Sequence, residues 1–150
     1  MNLLAIARHG IGIAGVPPLG VAIARGLAID LVRAADPARL VVQAAGDDAE
    51  ARWLTRIRGR LLRAPLPQGI AFALRVGNGD AVVGSLLVAE REDELGDRPG
   101  AVLRIGVEVV ELDRRDGTTP LVVEPRYVGV DQAALRLAPL AQGPATTAAA

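Results

Sequence analysis

The chain has 150 residues, a length that suits one domain, or one domain with an arm, and that supports a hydrophobic core without covalent staples. It contains no cysteine, which excludes disulfides and thiolate metal sites. Its formal net charge is zero, which excludes a strong overall attraction to nucleic acid or to an anionic membrane.

The composition also predicts a partner. Hydrophobic residues make up 51% of the chain, and 17 of the 150 residues are glycine. Together they exceed the roughly 45–50% that is usual for a soluble domain on a similar count. We expect one core to leave some of this apolar surface uncovered and available to another protein chain, most simply a second copy of this one.

The first 35 residues are predicted to form a glycine-rich apolar arm and a helix. Pro17-Pro18 suits the first turn of that helix, where a missing N–H costs nothing. The uncharged run 10–24 has 15 residues and two prolines, whereas a membrane-spanning helix needs about 20, so no membrane span is expected. Arg8 and the apolar run after it match the outline of a signal peptide, but glycine and proline interrupt that run. We therefore favour a cytoplasmic or particle-associated protein.

Residues 36–140 are predicted to form an α+β domain that opens with a short strand at 38–43 and a helix over Ala49–Arg63. Asp47 and Glu50 match a capping box at the start of this helix. Apolar residues recur on one face at helical spacing, and arginines line another face. The candidate interface residues on the helix are Arg52, Trp53, Arg56, Arg60 and Arg63.

This arginine face has two interpretations. It either meets a partner that carries phosphates or acids, such as RNA or the acidic loop 90–97 of a neighbouring copy, or it is an ordinary solvated helix face. No aromatic residues interleave with the arginines to stack on bases, so nucleic acid has less support than protein.

Four strands are predicted in succession after the helix, and they form the core of the domain at 69–130. They cover Ile70–Val76, Ala81–Glu90, Ala101–Leu112 and Leu121–Val130. The turn Asn78-Gly79 joins the first two, because these residues adopt the positive φ angles of a tight hairpin. The predicted fold is therefore α+β, with a mostly antiparallel sheet of four to five strands at about 69–138, covered by one or two helices from the N-terminal half.

The end of the chain carries fewer signals. Tyr127, on the last predicted strand, is a candidate core or interface anchor. Residues 131–140 suit a short strand and a helical turn equally, and residues 141–150 are predicted to be a disordered tail.

Gly10, Gly12 and Gly15 form a literal G-x-G-x-x-G pattern between a candidate strand at 3–7 and the helix that follows. In a dinucleotide-binding unit such glycines let the backbone approach a pyrophosphate at a helix N-terminus. Here Val16 and two prolines separate the pattern from the helix, and no further strand–helix–strand alternation follows. The alternative is a flexible or closely packed segment that binds nothing.

The inventory of reactive side chains argues against catalysis. The chain has one histidine, His9, one serine, Ser85, and neither cysteine nor lysine. No nucleophile-elbow sequence surrounds Ser85, and a single histidine cannot build a multi-histidine metal site. We therefore predict no catalytic residues, no metal and no cofactor.

Two hypotheses of different kinds remain. The first is a non-enzymatic structural subunit that forms a homo-oligomer or part of a larger particle, for instance a phage-like one. The second is a small nucleotide- or phosphate-binding protein that uses residues 10–15.

Overall fold

The structure of the protein, a computed structural model, describes residues 3–142, with side chains described through Leu137. The described helices are α1 Leu3–Ala7, α2 Pro17–Ala34, α3 Asp48–Leu54, α4 Glu92–Leu95 and α5 Val130–Gln142, with a 3-10 turn at Pro37–Arg39. The described strands are β1 Ile11–Ala14, β2 Leu40–Ala45, β3 Arg60–Arg63, β4 Ile70–Asn78, β5 Ala81–Ala89, β6 Ala101–Ile105, β7 Val110–Asp113 and β8 Leu121–Val123.

All eight strands form one mixed sheet in the order β3-β2-β4-β5-β1-β6-β7-β8. β1 is parallel to β5 and β6, β2 is parallel to β3, and the remaining pairs are antiparallel. The predicted α+β class is therefore confirmed. The predicted sheet of four to five mostly antiparallel strands has too few strands and too few parallel pairs. The N-terminal half supplies three more strands, β1 to β3, and every parallel pair involves one of them.

The segment predicted as an apolar arm supplies the strand at the centre of this sheet. All four residues of β1 are buried, and Ile11 lies opposite Leu86 on one side and Ala101 on the other. A strand that is covered on both faces is expected to be apolar throughout, as this one is. Residues 11–14 therefore belong to the sheet and do not extend away from it. The candidate strand at 3–7 is the helix α1.

The helix predicted over Ala49–Arg63 ends early. α3 stops at Leu54, and the chain turns and adds β3 to the edge of the sheet beside β2. Gly59 permits this path, because a Cβ there would lie 2.8 Å from the carbonyl oxygen of Leu40. The apolar spacing that predicted one helix is thus shared between a short helix and a strand.

The strand predicted over Ala101–Leu112 is a hairpin. Gly106 N–H donates to Val109 O at 2.9 Å and closes the turn between β6 and β7. The strand predicted over Leu121–Val130 ends at Val123, and the ambiguous residues 131–140 are helical, within α5. The predicted tail, 141–150, lies outside the described residues except for its first two, which end α5.

The two faces of the sheet are covered differently. The inner face carries α1 and α2, with α3 and α5 beside them, and holds most of the apolar core. The outer face has a smaller apolar cluster under α4, where Leu95 is fully buried. Further along the outer face, on β2, β3 and β4, Gln43, Leu62 and Arg75 are exposed.

None of the helices within residues 3–142 is both long and apolar enough to cross a membrane, in agreement with the absence of a predicted span.

Candidate functional site

The glycines of the G-x-G-x-x-G pattern lie in and around β1. Gly10 precedes the strand, Gly12 is inside it, and Gly15 follows it. A Cβ at Gly12 would lie 2.8 Å from Leu95 Cδ1, and a Cβ at Gly15 would lie 2.7 Å from Ile105 Cβ. Close packing therefore accounts for these two glycines without a ligand. Nucleotide binding by this segment stays a prediction.

The four arginines predicted on one helix face are distributed over separate elements. Arg52 is on α3, where its Nη1 lies 3.4 Å from Asp131 Oδ1 of α5. Arg56 lies in the turn after α3, and Arg60 and Arg63 lie at the two ends of β3. All four are exposed, but they do not share a helix face.

Trp53, the remaining candidate on that predicted helix, is fully buried. Its Nε1 donates a hydrogen bond to the buried carboxylate of Glu50. Arg25 of α2 donates to the same carboxylate at 2.5 and 3.0 Å, and to Val128 O at 3.1 Å. Trp53 thus belongs to a core cluster that joins α2, α3 and the segment before α5. Tyr127, in contrast, has 48% of its surface exposed, and its role as an interface anchor stays a prediction.

A groove of about 380 Å³ runs along the outer face of the sheet beside α4. We call it the open-face groove. Its floor and walls include Ala45, Ala73, Leu87, residues 64, 65, 67, 98 and 99, and the polar side chains of Gln43, Arg75 and Ser85. Its volume is at the lower end of the range of small-molecule sites, and its walls are mainly apolar, as is usual for such sites.

The three polar side chains form a row across the groove floor. Gln43 of β2 lies opposite Arg75 of β4, and Arg75 lies opposite Ser85 of β5. Adjacent strands are about 4.8 Å apart, so the row spans about 10 Å. Gly10 ends the row, since a Cβ there would lie 3.2 Å from Ser85 Oγ. The row therefore places an amide, a guanidinium and a hydroxyl together on an otherwise apolar floor.

One wall of the open-face groove is held in place by Arg115. This residue has a φ of 55°, a backbone conformation uncommon outside glycine. Its Nη1 donates to Gly96 O at 2.8 Å and to Pro99 O at 3.2 Å. The loop that carries Arg98 and Pro99 is thereby fixed to the turn after β7.

A second surface lies where β1 and β6 end. Ala14 and Arg104 are in register there, so the start of α2 lies beside the β6–β7 turn. Large apolar side chains from both segments are exposed at this place. The exposed fractions are 58% for Val16, 44% for Leu19, 104% for Val107 and 44% for Val109. We call these four residues the apolar edge.

The acidic segment 90–97 is partly neutralised inside the chain. Arg104 Nη2 lies 3.0 Å from Glu92 Oε2 and 2.7 Å from Asp113 Oδ2. Its hydrogen bonds lower the pKa of Glu92. The pKa of Asp113 is lowered first by the backbone N–H of Arg115 and then by Arg104. These ion pairs attach α4 to the β6–β7 hairpin, and they leave fewer carboxylates free to meet a neighbouring copy.

The described residues offer neither a metal site nor a hydrogen-bonded Ser85–His9 pair. No group of three or more histidine, cysteine, aspartate or glutamate residues is suited to hold a metal ion within residues 3–142. Ser85 forms no hydrogen bond with His9.

The open-face groove was not predicted from the sequence. Gln43 and Arg75 belong to no motif, and Ser85 lacks a nucleophile-elbow sequence around it. Their proximity depends on how β2, β4 and β5 pair, which periodicity does not determine. The detectable signal was a charged residue in the middle of an otherwise apolar strand.

No family model, no curated protein and no solved structure matches this chain.

Proposed function

We propose that the protein is a non-enzymatic assembly subunit that associates with copies of itself through the apolar edge, alone or within a larger particle. The observation that carries the proposal is the exposure of Val16 and Leu19 at the start of α2 and of Val107 and Val109 in the β6–β7 turn, at the end of the sheet where Gly15 packs against Ile105. Exposed apolar side chains that cluster at one place are typical of protein–protein contacts, whereas scattered ones are not.

The apolar edge suits contact with a second copy in particular. A twofold interface brings the same patch of each subunit together, so the patch must be complementary to itself. Uncharged aliphatic side chains satisfy this condition without like-charge repulsion. Glu108 lies between two of them and is exposed, which suits the polar rim of an interface.

Charge pairing contributes less to this proposal than the sequence suggested. Arg104 and Arg115 already pair with Glu92, and Arg91 pairs with Asp93 and Glu94. The arginines and acids of neighbouring copies therefore have fewer free partners, and the proposed association is mainly apolar.

The test is the mass in solution, measured by size-exclusion chromatography with multi-angle light scattering. We expect a multiple of the 15.5 kDa chain mass at micromolar concentration. Leu19→Glu and Val107→Glu should each return the protein to the mass of one chain, because each places a charge within the interface.

Leu135→Glu is the matched control. Leu135 is an exposed leucine on a helix, like Leu19, but it lies on α5 and outside the apolar edge. This variant should keep the oligomer. A native protein that runs as a single chain at micromolar concentration, or an oligomer that survives Leu19→Glu and Val107→Glu together, would overturn the proposal.

A further inference from the structure

We infer that the open-face groove binds a small organic molecule with one anionic group, a carboxylate or a phosphate, on an apolar body. The inference is independent of the proposed self-association, since the groove and the apolar edge share no residue. It also differs from nucleotide binding by residues 10–15, because side chains on the sheet would hold the anion.

The charge of the groove selects the anion. Arg75 and Arg98 both line it, and among the described residues that line it there is no aspartate or glutamate. Neither arginine side chain forms an ion pair or hydrogen bond with another residue of the described chain. Two unpaired guanidinium groups beside one cavity favour a negatively charged occupant, and the guanidinium fork matches the geometry of carboxylate and phosphate oxygens.

The polar row selects a hydrogen-bond acceptor. The Gln43 amide and the Ser85 hydroxyl lie on either side of Arg75, and neither forms a hydrogen bond with another described residue. Each of the three groups has a donor to offer from the groove floor. Oxygens of a single anionic group can accept from more than one of them.

The remaining walls select an apolar body. Ala45, Ala73, Leu87 and the prolines at 65, 67 and 99 line the groove around the row. Proline and alanine lose no side-chain entropy when a ligand orders them, so these walls are already formed for binding. The hydrogen bonds from Arg115 to the 96–99 loop keep one wall in position before the ligand arrives.

A second copy of the chain suits this groove poorly. Contact between two such faces would bring the arginines at 75 and 98 of both copies together, and no carboxylate lines the described groove to compensate them. Burying like charges without partners is strongly unfavourable. The anionic small molecule is thus the occupant that the charges favour.

The experiment is an NMR titration of the full chain, which reports binding residue by residue. The probes are sodium hexanoate, hexyl phosphate, hexan-1-ol and inorganic phosphate, each at concentrations up to about 10 mM, where millimolar dissociation constants are measurable. We expect hexanoate or hexyl phosphate to shift the methyl signals of Ala45, Ala73 and Leu87 in a saturable way. The stronger of the two identifies the anionic group as carboxylate or phosphate.

Variants then test the arginines. Arg75→Gln and Arg98→Gln should each weaken the binding of the better anionic probe by about tenfold or more, because charge-assisted hydrogen bonds are lost. Arg58→Gln is the matched control, since Arg58 is exposed, lies outside the groove and has no described partner. It should leave the affinity unchanged.

Several outcomes would overturn the inference. Hexan-1-ol binding as tightly as the anions would show that the groove recognises only apolar surface. Inorganic phosphate binding as tightly as hexyl phosphate would show that the apolar body plays no part. Absence of saturable shifts at the groove methyls with both anionic probes, or equal losses in Arg58→Gln, would remove the site altogether.

Discussion

Glu50 is the single buried charged residue among the described residues, and its carboxylate joins Arg25 of α2 to Trp53 of α3. The sequence predicted it as the second member of a capping box that bonds back to the helix N-terminus. Asp47 does cap α3, accepting from Ala49 N–H at 3.1 Å, but Glu50 turns inward to Arg25 and Trp53 instead. The local motif correctly identified the start of the helix, but tertiary packing directs the Glu50 carboxylate to Arg25 and Trp53.

We expect Glu50→Gln to lower the free energy of unfolding by about 3 kcal/mol, because it leaves the largely buried guanidinium of Arg25 without its counter-charge. Urea unfolding followed by the fluorescence of Trp53, the only tryptophan, measures the change. Arg52→Gln is the control. It removes an exposed ion pair with Asp131 and should change stability by no more than about 0.5 kcal/mol. Equal effects of the two substitutions would refute the proposed difference.

The glycines of the G-x-G-x-x-G pattern are also explained by tertiary packing. Gly12 and Gly15 attract attention as a binding pattern, yet protein side chains occupy the space beside both. A sequence pattern records that a side chain is absent, and it does not record whether a ligand or the protein itself fills the gap. Only the positions of Leu95 and Ile105 distinguish the two cases here.

Among the elements, the β4–β5 hairpin was predictable because its signal is local. The turn consists of Gly79, with a φ of 67°, and Asp80, one residue later than the predicted Asn78-Gly79, because Asn78 pairs with Ala81 at the end of β4. The helix over 49–63 and the strand over 101–112 were mispredicted for the opposite reason. In each, a single glycine, Gly59 or Gly106, interrupts a regular apolar pattern. The prediction followed the apolar pattern and did not treat the glycine as the end of the element.

The attachment of α4 to the β6–β7 hairpin should depend on pH. The pKa values of Glu92 and Asp113 are lowered in the fold by hydrogen bonds, that of Glu92 chiefly by Arg104. Groups with lowered pKa values stabilise the fold above their unfolded pKa values, about 4.3 for glutamate and 3.9 for aspartate, and this contribution is lost as pH falls through the folded values.

Arg104→Gln should therefore be less stable than the native protein at pH 7, and the difference should shrink as the pH is lowered towards about 3, because protonation of Glu92 and Asp113 removes the charges that Arg104 pairs with. Urea unfolding at both pH values measures it. Arg91→Gln, which removes only exposed ion pairs, should give a small difference at either pH. If the difference in the free energy of unfolding between native protein and Arg104→Gln stays constant or widens on acidification, the stabilising role of the ion pairs with Glu92 and Asp113 is contradicted.

For the whole molecule, the class of fold was predictable and the arrangement of strands was not. Composition and alternation indicate that strands exist, but the partner of each strand is decided by contacts far apart in sequence. The polar row of the open-face groove depends on the pairing of β2 with β4 as well as on the β4–β5 hairpin, and the apolar edge depends on the register of β1 with β6. Both surfaces are therefore invisible to periodicity, although the surplus of apolar residues anticipated an exposed apolar surface.

Removal of residues 2–15 should prevent the chain from folding. These residues contain β1, which alone joins β5 to β6, so the remaining strands would form two separate sheets with new edges. We expect the truncated protein to show a collapsed, poorly dispersed NMR spectrum and no cooperative unfolding transition. A well-dispersed spectrum would mean that the segment is dispensable, as a peripheral arm would be.

The central position of β1 has a consequence for synthesis. Ile11 leaves the ribosome early, but its neighbours Leu86 and Ala101 are translated only after most of the chain. At a translation rate of about 5–20 residues per second, the nascent polypeptide carries this hydrophobic strand without a pairing partner for several seconds before either neighbour emerges. During that interval the segment is a natural target for cellular chaperones, and the sheet closes only near the end of translation.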